Sequence, residues 1–161
     1  MLPESLQQNE VVVALEAAHG DAIVDGNSDF GETTLEIAPE RIVAILGFLK
    51  SQQRFERLAS VTAVDRHPME PRFEVVYHLQ SITRNLRLRL KCRVSGVRPE
   101  IESATSVYSG ANWYERETFD LFGVVFTGHP DLRRIMMPDD WEGHPLRRDF
   151  PTHGYKYSYG D

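Results

Sequence analysis

Residues 72–94 read RFEVVYHLQSITRNLRLRLKCRV and carry the strongest structural pattern in the chain. Apolar and polar side chains alternate in both halves of the segment, and alternate residues of a β-strand point to opposite faces of the sheet. The pattern predicts a hairpin of two strands, 72–80 and 85–94. Only pairings whose residue numbers add to an odd value, such as Tyr77 opposite Leu88, bring the two apolar sets to one face.

This register gives the hairpin two faces of different character. One face is apolar and includes Cys92, for which we expect a buried structural position. The other face is a stripe of basic residues at every second position from Arg87 to Arg93. The same register places Glu74 beside Lys91 or Arg93, where a favourable cross-strand ion pair can form. Two interpretations of the basic face stay open: a solvated sheet surface, or a docking surface for an acidic partner.

Patterns on either side of the hairpin predict the other regular elements. Apolar residues recurring with helical spacing indicate helices, short β-branched runs indicate strands, and glycine or proline marks the boundaries. The predicted elements are a helix at 4–18, strands at 22–25 and 32–37 joined by a turn at 25–28, a helix at 40–52, a strand at 58–64 and a helix at 111–122.

The composition excludes several classes of function. The chain has 161 residues, a formal net charge of −6 and no apolar run near the ~18–20 residues of a membrane span, so we expect a cytosolic domain without a signal peptide. The acidic balance argues against nucleic acid as the main partner. Cys92 is the single cysteine, so the chain alone cannot form a disulfide, a cysteine-ligated iron–sulfur cluster or a four-cysteine zinc site. No dinucleotide-binding, phosphate-binding or nucleophile-elbow motif occurs.

The predicted helix 111–122 carries charges on both of its faces. At about 100° per residue, Glu115 projects from the middle of the apolar arc. On the same wheel, Glu117 and Asp120 share the opposite face with Arg116. A carboxylate in an apolar arc has to be paired, neutralised or placed at an interface, because burying a lone charge is costly.

We expect two ion pairs from this helix. Arg116 and Asp120 are four residues apart and can pair along one helix face. A second hypothesis for this face is that Glu117 and Asp120 hold a hard cation through water molecules. For the buried carboxylate Glu115, the candidate cations are Arg133, Arg134, Arg147 and Arg148.

The histidines near the end of the chain do not form a metal-binding signature. His129, His144 and His153 are spaced too irregularly for a zinc motif. His129 and His144 each precede a proline, so we predict loop corners at which the imidazoles hydrogen-bond the backbone.

Residues 127–161 show neither helical nor alternating periodicity. Four prolines in the segment each remove a backbone donor and fix φ, which prevents regular structure. We interpret the segment as an extended tail that docks on other subunits, because aromatic residues and arginines are enriched at interface centres. The alternative, a tail that folds back on its own sheet, stays open. The large aromatic residues of the tail are Trp141, Phe150, Tyr155, Tyr157 and Tyr159.

The motifs of this region resemble one known family. The chain is similar to the 30-kDa subunit family of respiratory complex I, to which the C subunit of bacterial NADH–quinone oxidoreductase belongs. The continuation PDDWEGHPLRRDFP, at 138–151, also resembles that family. The matching residues upstream are Glu115-Arg116-Glu117, Asp120-Leu121-Phe122-Gly123, His129, Arg133 and Ile135-Met136.

The resemblance implies an architecture and a place in a complex. It implies an α+β domain at 1–126, a two-layer sandwich of a mixed or antiparallel sheet with helices on one face, followed by an extended irregular docking tail at 127–161. It implies a peripheral position on the cytoplasmic side of the cell membrane, beside the D subunit and near the B and I subunits. FMN, iron–sulfur clusters and quinone would all be held by other subunits.

The function expected from this resemblance is that of a non-catalytic structural subunit. Two alternatives stay open: the equivalent subunit of a membrane-bound hydrogenase, and a small metal-dependent hydrolase using Glu117, Asp120 and the histidines. The expected interface or signature residues are Glu115, Arg116, Glu117, Asp120, His129, Arg133, Arg134, Trp141, His144, Arg147, Arg148 and Asp149.

Overall fold

A five-stranded sheet organises residues 3–154, the part of the chain that the computed structural model describes. The strands lie in the order β1-β2-β5-β4-β3, and every neighbouring pair is antiparallel except the parallel β2–β5 pair. They are β1 (Ile23–Asp29), β2 (Glu32–Ile37), β3 (Arg57–Asp65), β4 (Phe73–Ser81) and β5 (Leu86–Val94). A separate parallel pair is formed by β6 (Glu100–Glu102) and β7 (Val125–Thr127).

In the described part of the chain, four α-helices accompany the sheet, and they share one hydrophobic core with its apolar face. Leu15 and Leu49 from the helices are fully buried together with Tyr77 and Leu90 from the central strands. The predicted α+β fold with a mixed sheet is therefore confirmed. The helices are α1 (Glu4–Gln7), α2 (Glu10–His19), α3 (Ile42–Gln52) and α4 (Ala111–Phe122), with 3-10 turns at Gly20–Ala22, Pro39–Arg41 and Ala104–Ser106.

The β4–β5 hairpin has the predicted parity of register, with a shift of two residues. Tyr77 lies opposite Leu90, not Leu88, so both apolar sets share one face as expected. The shift arises because the connection has four residues, with Asn85 at a positive φ of 52°. Pairing Tyr77 with Leu88 would instead leave Ile82 and Thr83 as a two-residue turn. Such a turn needs positive φ, which β-branched residues rarely adopt.

The predicted ion pair on the other face of this hairpin is confirmed. The ammonium of Lys91 lies 3.0 Å from a carboxylate oxygen of Glu74. Glu74 also pairs directly with Arg93 in the strand register. Cys92 is fully buried on the apolar face, and burial raises the pKa of its thiol well above the usual range.

Two predictions about the first third of the chain are wrong. The helix predicted over 4–18 is interrupted before Glu10, because the Asn9 side chain caps α2 by accepting from the N–H groups of Val11 and Val12 at 3.0 and 3.4 Å. The turn predicted at 25–28 is part of β1.

The chain instead reverses at the two residues between β1 and β2. Phe30 and Gly31 have φ values of 52° and 78°, and Asp29 pairs with Glu32 across the turn. Two-residue hairpin connections of type I′ require positive φ at both central positions. A phenylalanine with positive φ is unusual. The prediction therefore placed the turn at Gly26 and Asn27, which are residues typical of turns.

Candidate functional site

Helix α4 and residues 128–150, which we call the arm, are joined by a dense hydrogen-bond network. The helix ends at Gly123, whose φ is 75° and whose N–H donates to the Phe119 carbonyl at 2.8 Å. On its other side α4 packs on β3, where the Thr118 hydroxyl donates to the Val61 carbonyl at 3.2 Å. The helix is therefore held between the sheet and the arm.

The carboxylate of Asp120 is the central acceptor of this network. It is fully buried, and one of its oxygens accepts from the backbone N–H groups of Ile135, Met136 and Met137 at 3.0, 2.7 and 2.8 Å. Its other oxygen lies 2.6 Å from a guanidinium nitrogen of Arg134. Burial favours the neutral acid, but these hydrogen bonds outweigh it and lower the pKa of Asp120.

Two arginines bind backbone carbonyls of the arm. Arg134 donates to the carbonyls of Trp141 and Gly143 at 2.9 and 3.0 Å. Arg116 donates to the carbonyls of residues 133 and 134 at 3.2 and 3.1 Å, and its guanidinium lies 5.3 Å from the ring centre of Trp113. The predicted ion pair between Arg116 and Asp120 is wrong. Asp120 instead accepts hydrogen bonds from backbone N–H groups of the arm. A helical wheel shows only side chains of the helix, so it could not predict these partners.

Glu115 is buried without any of the four arginines predicted to pair with it. Its carboxylate accepts from the Ser103 hydroxyl and from the Ala104 N–H, both at 2.6 Å. His129 Nε2 lies 4.0 Å from the same carboxylate. Burial raises the pKa of Glu115 to about 7, although the two hydrogen bonds act to lower it. The predicted partners of Glu115 (Arg133, Arg134, Arg147 and Arg148) are corrected accordingly.

The prediction that two histidines hydrogen-bond the backbone is confirmed. His144 Nδ1 lies 2.9 Å from the Asp120 carbonyl. His129 Nδ1 accepts from the Asp131 N–H at 3.0 Å, so its proton resides on Nε2, which lies 3.2 Å from the Asn112 carbonyl. Both rings thus fix the arm to α4.

Arg147 closes the end of α4. Its guanidinium donates to the carbonyls of Phe122 and Gly123, at 2.6 and 3.4 Å. A Cβ atom at Gly123 would lie 2.6 and 2.7 Å from ring atoms of His144 and would also strike the guanidinium of Arg147. Only a glycine allows the arm to approach this closely, and it also supplies the positive φ.

A second ion cluster fixes the end of the arm to the sheet. Arg72 bonds both carboxylate oxygens of Asp65 at 2.7 and 2.8 Å and those of Asp149 at 2.7 and 3.0 Å. The Arg148 N–H also donates to Asp65 at 2.8 Å. Burial opposes the charge on Asp65, but the bonds from Arg72 and Arg148 lower its pKa. The sequence patterns did not predict a role for Asp65 and Arg72. In the sequence, the two residues are marked only by their places at the two ends of the β3–β4 connection.

Two of the remaining predicted residues, Glu117 and Arg133, lie at the surface. Glu117 is exposed, and Arg133 forms a surface pair with Asp131 at 2.9 Å. Trp141 is half-buried within the arm. Tyr155, Tyr157 and Tyr159, predicted as interface aromatics, lie outside the described residues.

The structure does not bring together a metal site from the proposed carboxylates. Glu117 points to solvent, whereas Asp120 is already occupied by four hydrogen-bond donors. Within residues 3–154, no three histidine, cysteine, aspartate or glutamate side chains are grouped so as to hold a metal ion. Among the same residues, no helix is both long and apolar enough to cross a bilayer.

Several known proteins are similar to this chain in sequence. The chain is 48% identical over 157 residues to the C subunit of NADH-quinone oxidoreductase from Cereibacter sphaeroides, covering 96% of the chain and 76% of that protein. The corresponding C subunit from Roseiflexus castenholzii is 49% identical over 91% of the chain and 86% of the relative. The one from Geobacter sulfurreducens is 46% identical over 92% of each.

Two solved structures share the fold. A trypsin-resistant fragment of Nqo5 superposes with a TM-score of 0.66 and 30% identity, covering 74% of the chain and 97% of the fragment. A chain of an archaeal membrane-bound sulfane sulfur reductase superposes with a TM-score of 0.78 and 25% identity, covering 91% and 86%. A family model described as the 30 Kd subunit of respiratory-chain NADH dehydrogenase matches residues 35–156. With three quarters of its length in that match and close to half of its residues shared with several of these relatives, the chain belongs to the family of the 30-kDa subunit of respiratory-chain NADH dehydrogenase.

Proposed function

We propose that the chain is a non-catalytic structural and assembly subunit in the peripheral arm of a proton-translocating NADH:quinone oxidoreductase. One observation carries the proposal: the charged residues of α4 and the arm bind backbone groups, while large apolar side chains beside them face solvent. Hydrogen bonds within the chain engage the charged groups of Asp120, Arg116 and Arg134. Trp113 and Met136 are each 62% exposed.

The partners we propose are the D subunit of that complex and, next to it, the B and I subunits. Exposed aromatic and methionine side chains held on a rigid support are typical of the centre of a protein interface. Leu146 of the arm is also exposed, at 51%. We further propose a peripheral position on the cytoplasmic side of the cell membrane, consistent with the respiratory complexes named for the relatives.

We propose that FMN, iron–sulfur clusters and quinone are held by other subunits, and that this chain supports electron transfer from NADH to quinone without binding them. The single cysteine supports this division of roles, because the Cys92 thiol is buried and its pKa is raised. A buried protonated thiol is a poor ligand for iron.

The proposal can be tested by co-expression with the D and B subunits. Replacing Trp113 and Met136 together by alanine should reduce co-purification of these subunits by about tenfold or more, as expected when interface anchors are truncated. The thermal midpoint of the isolated variant should stay close to that of the parent. The matched control replaces Val24 and Val97, which are 63% and 82% exposed elsewhere on the surface. Equal co-purification of both double variants, or NADH oxidation by the isolated chain, would contradict the proposal.

A second candidate function is the equivalent subunit of a related membrane-bound redox complex. The superposition on a chain of the archaeal sulfane sulfur reductase complex supports it, as does the hydrogenase alternative raised by the resemblance. Co-purification discriminates the two candidates. A diaphorase module with the B and D subunits supports the oxidoreductase, and a hydrogenase-type large subunit supports the alternative.

A further inference from the structure

The outer face of the sheet, opposite the helices, has a neutralised region and a region with unpaired positive charge. In the neutralised region each cation of β5 has a carboxylate partner on a neighbouring strand. Lys91 pairs with Glu74, and Arg93 lies 3.1 Å from Glu36. Arg89 forms an ion pair with Glu32.

At the other end of this face, two arginines lie in one row across three strands. Arg57 of β3 is opposite Gln80 of β4, and Gln80 is opposite Arg87 of β5. We call these three residues the basic row. Both arginines are exposed, and within residues 3–154 neither has a carboxylate within ion-pairing distance. The basic row is therefore a local excess of positive charge on a chain whose net charge is −6.

A concave site lies beside the basic row. Its volume is about 210 Å³, and its lining includes Arg87, Gln80, His78 and Arg89 together with Glu32, the carboxylate that pairs with Arg89. Because Glu32 neutralises Arg89, the cation of this lining without a carboxylate partner among the described residues is Arg87. A hollow beside such an arginine is suited to a carboxylate-bearing side chain.

One wall of the hollow is held rigid by a chain of hydrogen bonds. Arg89 Nε donates to His78 Nε2 at 3.1 Å, so His78 carries its proton on Nδ1, which donates to the Ser60 hydroxyl at 2.9 Å. Burial and the charge of Arg89 lower the pKa of His78, in agreement with an Nε2 that accepts a hydrogen bond from Arg89. The wall is thus preorganised, and an incoming carboxylate would not have to reorder it.

We propose that the basic row and the adjoining hollow are a second docking surface, which binds an acidic segment of another subunit of the same complex. Charge complementarity selects the occupant, since Arg57 and Arg87 lack the partners that the other cations of this face possess. The inference rests on the proposed assembly role but uses a surface separate from the arm.

Cross-linking in the assembled complex identifies the occupant. A photoreactive amino acid replaces Gln80 in the middle of the basic row, and the control carries it in place of Arg98, whose side chain is 76% exposed outside the sheet. The expected product joins position 80 to a peptide of another subunit that contains aspartate or glutamate. A cross-link only to a second copy, only to a segment without carboxylates, or to no subunit would overturn the inference.

Charge reversal tests the same surface energetically. The double variant Arg57→Glu/Arg87→Glu should reduce co-purification of the cross-linked subunit by about tenfold or more, as expected for two lost interface charge pairs. Changing the cross-linked acidic residue to lysine should restore it, and Arg98→Glu should have no effect. The milder Arg57→Gln/Arg87→Gln variant guards against misfolding and should give a smaller loss in the same direction.

The outcome also separates this inference from the proposed function. Normal assembly of both charge variants, with assembly still lost on Trp113→Ala/Met136→Ala, would reject the second surface and leave the assembly role standing. Normal assembly of all these variants would reject both.

Discussion

Glu115 shows at the scale of one residue what a helical wheel can and cannot predict. The wheel correctly places this carboxyl group among apolar neighbours, where it is fully buried. Its partners, Ser103 and the Ala104 N–H, belong to a 3-10 turn eleven and twelve residues earlier. That turn lies in a segment without periodicity, so no sequence pattern links it to the helix.

The raised pKa of Glu115 predicts a pH-dependent contribution to stability. Folding raises this pKa from 4.5 to about 7, so the folded state holds the proton more tightly. The contribution is complete below pH 4.5 and is lost as the pH rises through about 7, a difference of ~3 kcal/mol for this pKa change. The variant Glu115→Gln should therefore gain stability relative to the parent between pH 5 and pH 8.

Urea unfolding at pH 5, 6, 7 and 8 measures this difference. The comparison with the parent is essential, because burial lowers the pKa of His78 and His144, which makes both contribute with the opposite sign near pH 6. Glu117→Gln, at the exposed neighbouring position, is the control. Parallel pH profiles for the parent and Glu115→Gln would show that Glu115 keeps an ordinary pKa.

Gly123 gives a second prediction at the residue scale. Gly123→Ala places a Cβ against His144 and Arg147, whereas Gly128→Ala, at a similar φ of 79°, meets no atom within 4 Å. Both variants incur about 1–2 kcal/mol of left-handed backbone strain, and only the first adds a steric clash. We expect a clearly larger loss of unfolding free energy for Gly123→Ala, together with tryptic cleavage near Arg147. Equal losses would show that the arm tolerates displacement.

At the scale of elements, regular strands and helices were predictable, but the arm was not. The periodicity of Ile42, Ile45 and Leu49 identified α3, and all three are fully buried. The arm has no such repeat, because its backbone groups bond to side chains of α4, to arm side chains such as Arg134 and to isolated turn partners, as in Trp141 N–H to the Pro138 carbonyl. Its order depends on single contacts between residues far apart in sequence, which composition and spacing do not encode.

Asp120 is the residue on which the junction of α4 and arm depends. Asp120→Asn removes the charge facing Arg134 and presents an amide to backbone donors, and breaking a buried pair in this way costs about 3–5 kcal/mol. The matched control Asp131→Asn breaks an exposed pair with Arg133, for which about 0–1 kcal/mol is expected.

Unfolding free energies and limited proteolysis measure the stability and the order of the arm in the two variants. Asp120→Asn should become sensitive to protease within the arm while it retains the circular dichroism of the sheet. Asp131→Asn should match the parent in both measurements. If the arm of Asp120→Asn stayed resistant to protease, its order would not depend on Asp120. The ion cluster of Arg72, Asp65 and Asp149 would then be the contact that holds it.

At the scale of the whole molecule, the arm has an inner side that is bonded to its own chain and an outer side that faces solvent. The sequence left open a docking tail and, as the alternative, a tail that folds back on its own sheet. In the structure, residues 128–150 bond α4 and, through Asp149, the Arg72 cluster at the sheet, while Met136 and Leu146 of the arm and Trp113 of α4 stay exposed. The inner side of the arm is therefore bonded to its own chain, and docking through the exposed outer side stays a prediction.

This division predicts when each side becomes protected. The N–H groups of Ile135, Met136 and Met137 bond to the buried Asp120 carboxylate, so they should exchange slowly with solvent in the isolated chain and change little on assembly. Trp113 should lose solvent exposure only when the D and B subunits are present. Hydrogen exchange of the three amides and fluorescence quenching of the indole, with and without these subunits, test both expectations. If the amides exchanged rapidly until the partners bound, the arm would fold on docking, and the rigid support proposed for its outer side would not exist beforehand.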